Sequence, residues 1–337
     1  MGEAFDRHVR ANPIRTPTFG YLMESYNMKQ FSKKQVVAPS KEIPAGDVLA
    51  PSSRMLIAGV QMPVPVMGSN IAAMSAQIER AMFLFPGLEI ILFSELAQRG
   101  PIIAHAAEDS AIDEQVFCQL AAKHGIWLIP GTAFVRRGAE VYNHAIVIDP
   151  HGKIVGRYDK QFPFLPLETG VTGGTSFLVF DVPGRGRFGL SICYDIWFPE
   201  TTRTLTSMGV EVLLHPVLTG TTDRKAEMAI AQATAAMFQC YVIDVNGLDA
   251  GGVGQSLVID PSGRIVYQAG QTTDMFPITI DLGLVREFRM RGADGLGQVL
   301  KSFRDRSVEF DTYAAENESD YLESLGVLKS VRRDVIS

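Results

Sequence analysis

A ten-residue pattern that occurs twice decides the fold: Ile146-Val147-Ile148-Asp149-Pro150-His151-Gly152-Lys153-Ile154-Val155 and Leu257-Val258-Ile259-Asp260-Pro261-Ser262-Gly263-Arg264-Ile265-Val266. Each copy places two short apolar runs around a turn, and Pro and Gly supply the turn's backbone conformations. The copies match nearly residue for residue at an offset of 111, from Asp149 to Asp260. Such a repeat indicates an internally duplicated unit.

The elements before each hairpin recur in the same order. Before the first we predict strand, helix, strand, helix and strand at residues 55–62, 71–85, 89–93, 112–124 and 126–131. Before the second we predict the same order at residues 188–192, a helix after Pro199, and residues 210–215, 224–238 and 241–245. Sheets that are apolar on both faces must be covered on both. The sequence therefore predicts an α/β fold, a four-layer α-β-β-α sandwich from a duplicated unit.

The 337 residues divide into three parts. Residues 1–53 are turn-rich and lack a sustained period, so we expect an N-terminal extension. Residues 54–284 contain the duplicated unit, and residues 285–337 form a charged C-terminal tail with scattered apolar residues. A monomer would expose the apolar residues of both extensions, which favours a homodimer or a larger homo-oligomer.

Composition excludes several classes of partner. The net charge of −6 gives no electrostatic footprint for nucleic acid. No apolar run reaches the length of a membrane span, and the charged first residues lack a secretion signal. Three cysteines are an odd number in a chain too large to need disulfides, which is typical of a reducing compartment. We expect a cytoplasmic protein with no nucleic-acid or membrane partner.

Three predicted strands end on chemically active side chains. Cys193 follows the apolar run 188–192, Glu95 follows 88–94, and Lys160 follows 156–159. The position of Cys193 alone fits a nucleophile and an inert core thiol equally. Glu95 or Lys160, taken alone, is more typical of a solvated loop residue. A thiol, a carboxylate and an ammonium at three strand ends together favour an enzyme, because α/β proteins place their chemistry at that edge.

These residues resemble the nitrilase superfamily of carbon–nitrogen hydrolases, whose signature is a Glu-Lys-Cys triad in this chain order. The matching segments are Phe93-Ser94-Glu95, Tyr158-Asp159-Lys160 and residues 189–200. The resemblance runs from about Met55 to about Leu282 and implies the same sandwich fold. It also implies that residues 54–284 are the catalytic domain and that the tail packs at an oligomer interface. Ser94 and Asp159 depart from the family, where Pro and Arg are common.

The resemblance implies roles for the triad. Cys193 would attack an amide carbon, Glu95 would transfer protons, and Lys160 with the backbone N–H of Tyr194 would stabilise the oxyanion. The reference pKa values of a thiol and a carboxylate differ by about four units, or roughly 6 kcal/mol. We expect burial to raise the pKa of Glu95, and Lys160 to stabilise the thiolate before substrate arrives.

Further site residues are expected around the triad. Glu168 follows Lys160 by eight residues, as a second glutamate does in the aliphatic-amidase and formamidase branch, and would orient Lys160 or the substrate nitrogen. The scattered histidines show no metal-ligand spacing, so we expect neither a metal nor a cofactor. His215 is pocket lining at most. The expected substrate pocket contains Tyr142, Phe164, Trp197, Val217 and Leu218.

The predicted function is hydrolysis of a small non-peptide amide to a carboxylic acid and ammonia, through a cysteine thioester, with the amide and water as the only partners besides other copies of the chain. Tyr194-Asp195 resembles amidases and carbamoyl amidases, Trp197 resembles the carbamoyl branch, and Glu168 the aliphatic one. An N-carbamoyl amidohydrolase is therefore the first alternative, followed by a nitrilase. A catalytically idle binding or scaffold protein with this fold remains open as a different class.

Overall fold

The computed structural model describes residues 53–107, 111–313 and 319–328, so the N-terminal extension predicted at 1–53 lies outside the described residues except for its last position. The first half contains, in chain order, β1 (Arg54–Gln61), α1 (Ile71–Leu84), β2 (Ile90–Phe93), α2 (Ala111–His124), β3 (Trp127–Ile129), β4 (Thr132–Arg137), β5 (Glu140–Ile148) and β6 (Ile154–Asp159).

The second half repeats this order and adds helices at its end. It contains β7 (Leu178–Val182), β8 (Gly186–Leu190), α3 (Pro199–Ser207), β9 (Val212–Val217), α4 (Arg224–Phe238), β10 (Tyr241–Asn246), β11 (Leu248–Asp249), β12 (Gly252–Val253), β13 (Leu257–Ile259), β14 (Ile265–Gln268), β15 (Asp274–Asp281), α5 (Leu282–Arg291), α6 (Val299–Arg304) and α7 (Asp320–Ser324). No helix among these described residues is long and apolar enough to cross a membrane.

Two main sheets carry the duplication. Within the described residues, the first has the order β15-β1-β2-β3-β5-β4, with β6 also paired to β5, and the second has the order β14-β13-β10-β9-β8-β7. The central strands run parallel in both, β1 with β2 and β3, and β8 with β9 and β10. The two Asp-Pro-x-Gly turns close the β5–β6 and β13–β14 hairpins, as the repeat predicts.

The layers follow from the alternation of side chains along each strand. In β1, Met55 and Ile57 belong to a core cluster shared by the two sheets, whereas Ala58 and Val60 pack with α1 and α2. A third cluster joins the second sheet to α3 and α4. Helices, two sheets and helices therefore stack as the predicted α-β-β-α sandwich.

Strands β4, β7 and β15 are missing from the sequence prediction. Each lies at or beside the edge of its sheet, where one side of the strand has fewer neighbours. Their sequences consequently mix polar and apolar residues, and β15 even contains Pro277, which an edge strand tolerates. The domain boundary expected after residue 284 falls within α5, whose Leu282 and Val285 are buried in the core between the sheets.

Gly59 lies where the two sheets approach each other. The ring of Phe276, its partner on β15, covers the glycine, and a Cβ atom at position 59 would overlap that ring. The same Cβ would lie 2.9 Å from Cγ2 of Val245 on β10 of the second sheet. The aromatic ring thus fills the space that the missing side chain leaves.

We predict that Gly59→Ala lowers the free energy of unfolding by about 1–3 kcal/mol, because Phe276 or Val245 must move to admit the methyl group. Urea titration of the variant and of Gly87→Ala measures the effect. Gly87 is the matched control, since a Cβ there meets no atom within 4 Å. Equal midpoints for the two variants would contradict the close packing described here.

Candidate active site

Glu95, Lys160 and Cys193 meet at one edge of the two sheets. Lys160 Nζ donates to Glu95 Oε1 at 2.8 Å, and Cys193 is close enough to the same carboxylate for each group to shift the pKa of the other. The backbone N–H of Glu95 donates to the carbonyl of Val217 at 3.2 Å, which joins the end of β2 to the end of β9. All three side chains are buried. The structure therefore brings together the three residues that the sequence singled out.

Glu168 completes a buried charge cluster. Its Oε2 accepts from Lys160 Nζ at 2.7 Å and from the backbone N–H of Phe164 at 2.6 Å. Lys160 consequently lies between two carboxylates, and each of the three groups is at least nine-tenths buried. The structure therefore places Glu168 in direct contact with Lys160.

Asn143 belongs to this cluster, although sequence reasoning missed it. Its Nδ2 donates to Glu95 Oε1 and to Glu168 Oε1, both at 2.8 Å. The backbone carbonyl of Asn143 accepts from the backbone N–H of Lys160 at 2.9 Å. The turn at Asp149 sets the register that places residue 143 opposite residue 160, so the hairpin pattern contained the signal. Asn143 fixes the separation of the two carboxylates.

Asp195 ties the turn at Cys193 to the loop after Lys160. Its Oδ1 accepts from the N–H groups of Gln161 and Phe162 at 3.0 and 2.9 Å. Its Oδ2 accepts from the N–H of Ile192 at 3.0 Å and from the hydroxyl of Tyr158 at 2.7 Å. Burial raises the pKa of Asp195 to about 6, against the opposing effect of these donors. Four donors thus hold one carboxylate between the segment at Cys193 and the segment at Lys160.

The backbone presents Cys193 on a sharp turn. Cys193 begins a short 3₁₀ helix that ends at Trp197, and its φ of 45° lies in the left-handed region. A non-glycine residue in this conformation is strained by about 1–3 kcal/mol and persists only when its surroundings hold it there. The N–H of Tyr194 lies in the first turn of this helix, where N–H groups lack helical acceptors and can face an oxyanion.

The electrostatics of the site favour a protonated thiol at rest. Burial raises the pKa of Cys193 well above its ordinary value, and Glu95 raises it further, while Lys160 opposes both effects. Burial also raises the pKa of Glu95; Lys160 opposes that rise and Glu168 adds to it. Burial disfavours the Lys160 ammonium, yet Glu95, Cys193 and Glu168 outweigh burial and hold its pKa well above the ordinary value. As expected, the Lys160 ammonium stabilises the thiolate, although burial and Glu95 together outweigh this effect on the pKa of Cys193.

A second buried polar cluster lies behind the nucleophile's strand. His215 Nδ1 is 2.9 Å from Oγ of Ser191, and burial lowers the pKa of His215 to about 4, so the ring is neutral. Arg224 binds Asp244 at 2.6 Å and Glu227 at 3.3 Å. His215 is fully buried and is not among the cavity-lining residues, so it forms no Cys-His pair facing substrate.

An open cavity of about 940 Å³ reaches the triad. The structure places Glu95, Lys160, Glu168, Cys193 and Tyr194 in its wall, and three of the expected pocket residues with them: Phe164, Trp197 and Leu218. Within the described part of the chain, no group of three or more His, Cys, Asp or Glu side chains is arranged to hold a metal ion.

Tyr142 and Val217 are not in the cavity wall, which corrects two of the expected pocket residues. Tyr142 precedes Asn143 on β5, and successive side chains of a strand point to opposite faces, so its hydroxyl donates to Glu140 at 2.6 Å on the exposed side. Val217 is fully buried in the core between the sheets, and the next residue, Leu218, reaches the cavity instead.

Alternation also places Asp159, the residue that departs from the family pattern. Lys160 enters the site, and Asp159 on the preceding position pairs with Arg137 Nη1 at 2.7 Å and with His144 Nδ1 at 2.6 Å. The Asp159 carboxylate therefore belongs to an ion-pair cluster on the other face of the sheet and does not contact the lysine ammonium.

A sequence profile described as Carbon-nitrogen hydrolase matches residues 56–290. The chain is 29% identical over 211 residues to 2-oxoglutaramate amidase of Bacillus subtilis (strain 168), covering 60% of this chain and 81% of that protein. It is 27% identical over 268 residues to formamidase of Bacillus thuringiensis (strain Al Hakam), covering 70% of this chain and 78% of that protein.

Solved structures share the fold. An amidase from Nesterenkonia sp. AN1, crystallised with the acetamide moiety of fluoroacetamide on its active-site cysteine, superposes with a TM-score of 0.65. The two chains are 21% identical, and the match covers 78% of this chain and 97% of the amidase. A Saccharomyces cerevisiae member of branch 10 of the nitrilase superfamily gives a TM-score of 0.64 at 24% identity, covering 70% of this chain and 93% of that one.

We predict that Asp195→Asn lowers the free energy of unfolding by about 2 kcal/mol or more. We also predict that it lowers the rate of ammonia release from an amide. An amide nitrogen cannot accept from the backbone N–H groups that face the carboxylate, so buried donors would lose their acceptor. Tyr158→Phe is the control, because it removes a single donor from the same carboxylate and should cost about 1 kcal/mol. Thermal unfolding and turnover are both measured, and an Asp195→Asn protein as stable as Tyr158→Phe would contradict the tethering role.

Proposed function

This chain belongs to the carbon–nitrogen hydrolase family of the nitrilase superfamily, and we propose from that premise that it hydrolyses a small non-peptide amide to a carboxylic acid and ammonia through a thioester on Cys193. The carrying observation is the placement of one ammonium, Lys160, between the carboxylates of Glu95 and Glu168, at the wall of the cavity that Cys193 also lines.

In the first proposed step, a proton transfer accompanies the attack of the Cys193 sulfur on the amide carbon. Because the resting thiol keeps its proton, Glu95 takes that proton as the sulfur of Cys193 forms a bond to the amide carbon. The C=O electron pair moves to oxygen, which becomes an oxyanion. The Lys160 ammonium and the N–H of Tyr194 then donate to it, and one such donor is typically worth about 3–4 kcal/mol. Lys160 thus acts on the oxyanion and not on a free thiolate.

In the remaining steps, Glu95 passes on each proton that it has accepted. Glu95 gives its proton to the amide nitrogen as the C–N bond breaks, and ammonia leaves a thioester on Cys193. Water then loses a proton to Glu95 and forms a bond to the thioester carbon. The C–S bond breaks, the sulfur recovers the proton from Glu95, and the carboxylic acid departs. Glu95 alternates between base and acid, which requires the pKa that burial raises.

Glu168 and Asn143 are proposed to prepare the site for an amide. Oε2 of Glu168 is fixed by Lys160 and the N–H of Phe164, so Oε1, which accepts from Asn143, is the oxygen that an amide NH₂ would meet. A nitrile has no N–H to donate to this group. An N-carbamoyl substrate has the same NH₂ and stays the first alternative. An idle scaffold would have no use for three buried charges whose desolvation is costly.

We predict that Cys193→Ala abolishes ammonia release from amides while the fold is retained. The matched control is Cys240→Ala, which removes a buried thiol that does not line the cavity and should alter stability more than turnover. Mass spectrometry of the native protein with a slow amide substrate should find one acyl group on Cys193. Turnover by Cys193→Ala would refute the mechanism.

We also predict that kcat/KM for a short aliphatic amide exceeds that for the matching nitrile by at least about two orders of magnitude, roughly 3 kcal/mol, because a nitrile has no N–H to add a further hydrogen bond to Glu168 Oε1. Glu168→Gln should lose most amide activity without unfolding. Glu140→Gln changes an exposed glutamate outside the cavity and serves as its control. Comparable rates for amide and nitrile, or normal turnover by Glu168→Gln, would overturn the assignment.

A further inference from the structure

The cavity is larger than a very small amide needs. Its volume of about 940 Å³ lies at the upper end of the range of clefts that hold drug-sized ligands, about 300–1,000 Å³. One water molecule takes about 30 Å³ of the liquid, so an amide of about four heavy atoms would fill on the order of a tenth of this space. The described residues therefore leave room for an acyl chain that extends away from Cys193.

The wall along this space is mainly apolar. It is lined by Leu96, Ile102, Phe134, Phe164, Trp197 and Leu218. Burial of apolar surface contributes about 25 cal/mol per Å², so an extended hydrocarbon chain would be bound and a string of polar groups would lose hydration without replacement. The shape and chemistry of the wall fit a substrate with an apolar middle section.

The charged groups of the wall are unbalanced. Glu95, Glu168 and Asp223 contribute three carboxylates, and among the described residues of the lining Lys160 is the one basic side chain. The Lys160 ammonium already donates to both Glu95 and Glu168. A substrate carboxylate would thus enter an acidic cavity without a cation to receive it, and uncompensated burial of a carboxylate is costly.

Asp223 makes no ion pair with the triad's charge cluster or with any other residue in the described part of the chain. It is half-buried and immediately precedes α4, yet its side chain makes no capping hydrogen bond to that helix. The positive end of a helix carries roughly half a unit charge, which is less than the full charge of the carboxylate. Asp223 therefore contributes a negative charge to this part of the cavity wall.

We propose that Asp223 selects substrates by charge: the preferred substrate is an amide with an extended apolar acyl chain and a cationic amine at its far end, and an amide with a carboxylate there is rejected. This specificity rests on the proposed amidase function. Asp223 acts on the remote end of the substrate and leaves the reacting carbon to the residues around Cys193.

The test compares hexanamide with its ω-amino and ω-carboxy derivatives, by ammonia release. We expect kcat/KM to fall in the order amine, neutral, carboxylate, with the carboxylate derivative at least about tenfold below the neutral amide. The preference should shrink at high ionic strength, because salt screens a half-exposed charge. Equal kcat/KM for the three amides would overturn the charge selection while the amidase function stands.

Variants at position 223 assign the preference to this carboxylate. Asp223→Asn should lower the ratio of kcat/KM for the amine over the neutral amide on the order of tenfold, and Asp223→Lys should invert the order of the two charged amides. Glu309→Gln, which neutralises an exposed carboxylate outside the lining, should leave the ratio unchanged. An unchanged ratio in Asp223→Asn would exclude Asp223 as the selecting residue.

If none of the three amides is turned over, binding still decides the charge preference. Calorimetric titration of Cys193→Ala with each amide then measures affinity without chemistry. Tighter binding of the amine derivative than of the carboxylate derivative would support the selection, and its loss in Cys193→Ala/Asp223→Asn would assign it. Equal affinities would overturn it.

Discussion

The site depends on one ammonium that holds two buried carboxylates together. Removing three charged groups from water costs several kcal/mol for each, and their attraction repays this only when further donors satisfy the remaining oxygens. Asn143 and the N–H of Phe164 supply those donors to Glu95 and Glu168. Lys160 must therefore be held in one place, and the hairpin register together with the carboxylate of Asp195 holds the segment from which it extends.

The same electrostatics favour the protonated form of the Cys193 thiol. A thiolate at Cys193 would be a third negative charge beside the two carboxylates in a buried site, so burial and these carboxylates raise the pKa of Cys193 despite the nearby ammonium. In the proposed mechanism an oxyanion is different, because it forms where the Lys160 ammonium and the N–H of Tyr194 can both donate to it. Such a site would stabilise charge on the substrate better than charge on its own thiol, which is the differential binding that catalysis requires.

The duplicated unit and the triad could be predicted because their signals are local: apolar runs, Asp-Pro-x-Gly turns, and charged residues at strand ends. Edge strands β4, β7 and β15 were missed because their sequences are not uniformly apolar. Tyr142 was assigned to the pocket and Asn143 overlooked for one shared reason, since only the register of β5 tells which of two neighbours faces the site. Asp223 has no local signature at all, because tertiary contacts alone bring α4 to the cavity.

Glu95 extends from the first sheet and Cys193 from the second, and a hydrogen bond from the N–H of Glu95 to Val217 links the two sheets at that point. Away from it, Gly59, Phe276 and Val245 set how closely the sheets pack. A small separation of the layers would part the proton acceptor from the sulfur while every strand kept its own ladder of hydrogen bonds. Local opening requires less free energy than global unfolding. Heat or denaturant should therefore abolish the proposed hydrolytic activity before the circular dichroism spectrum changes.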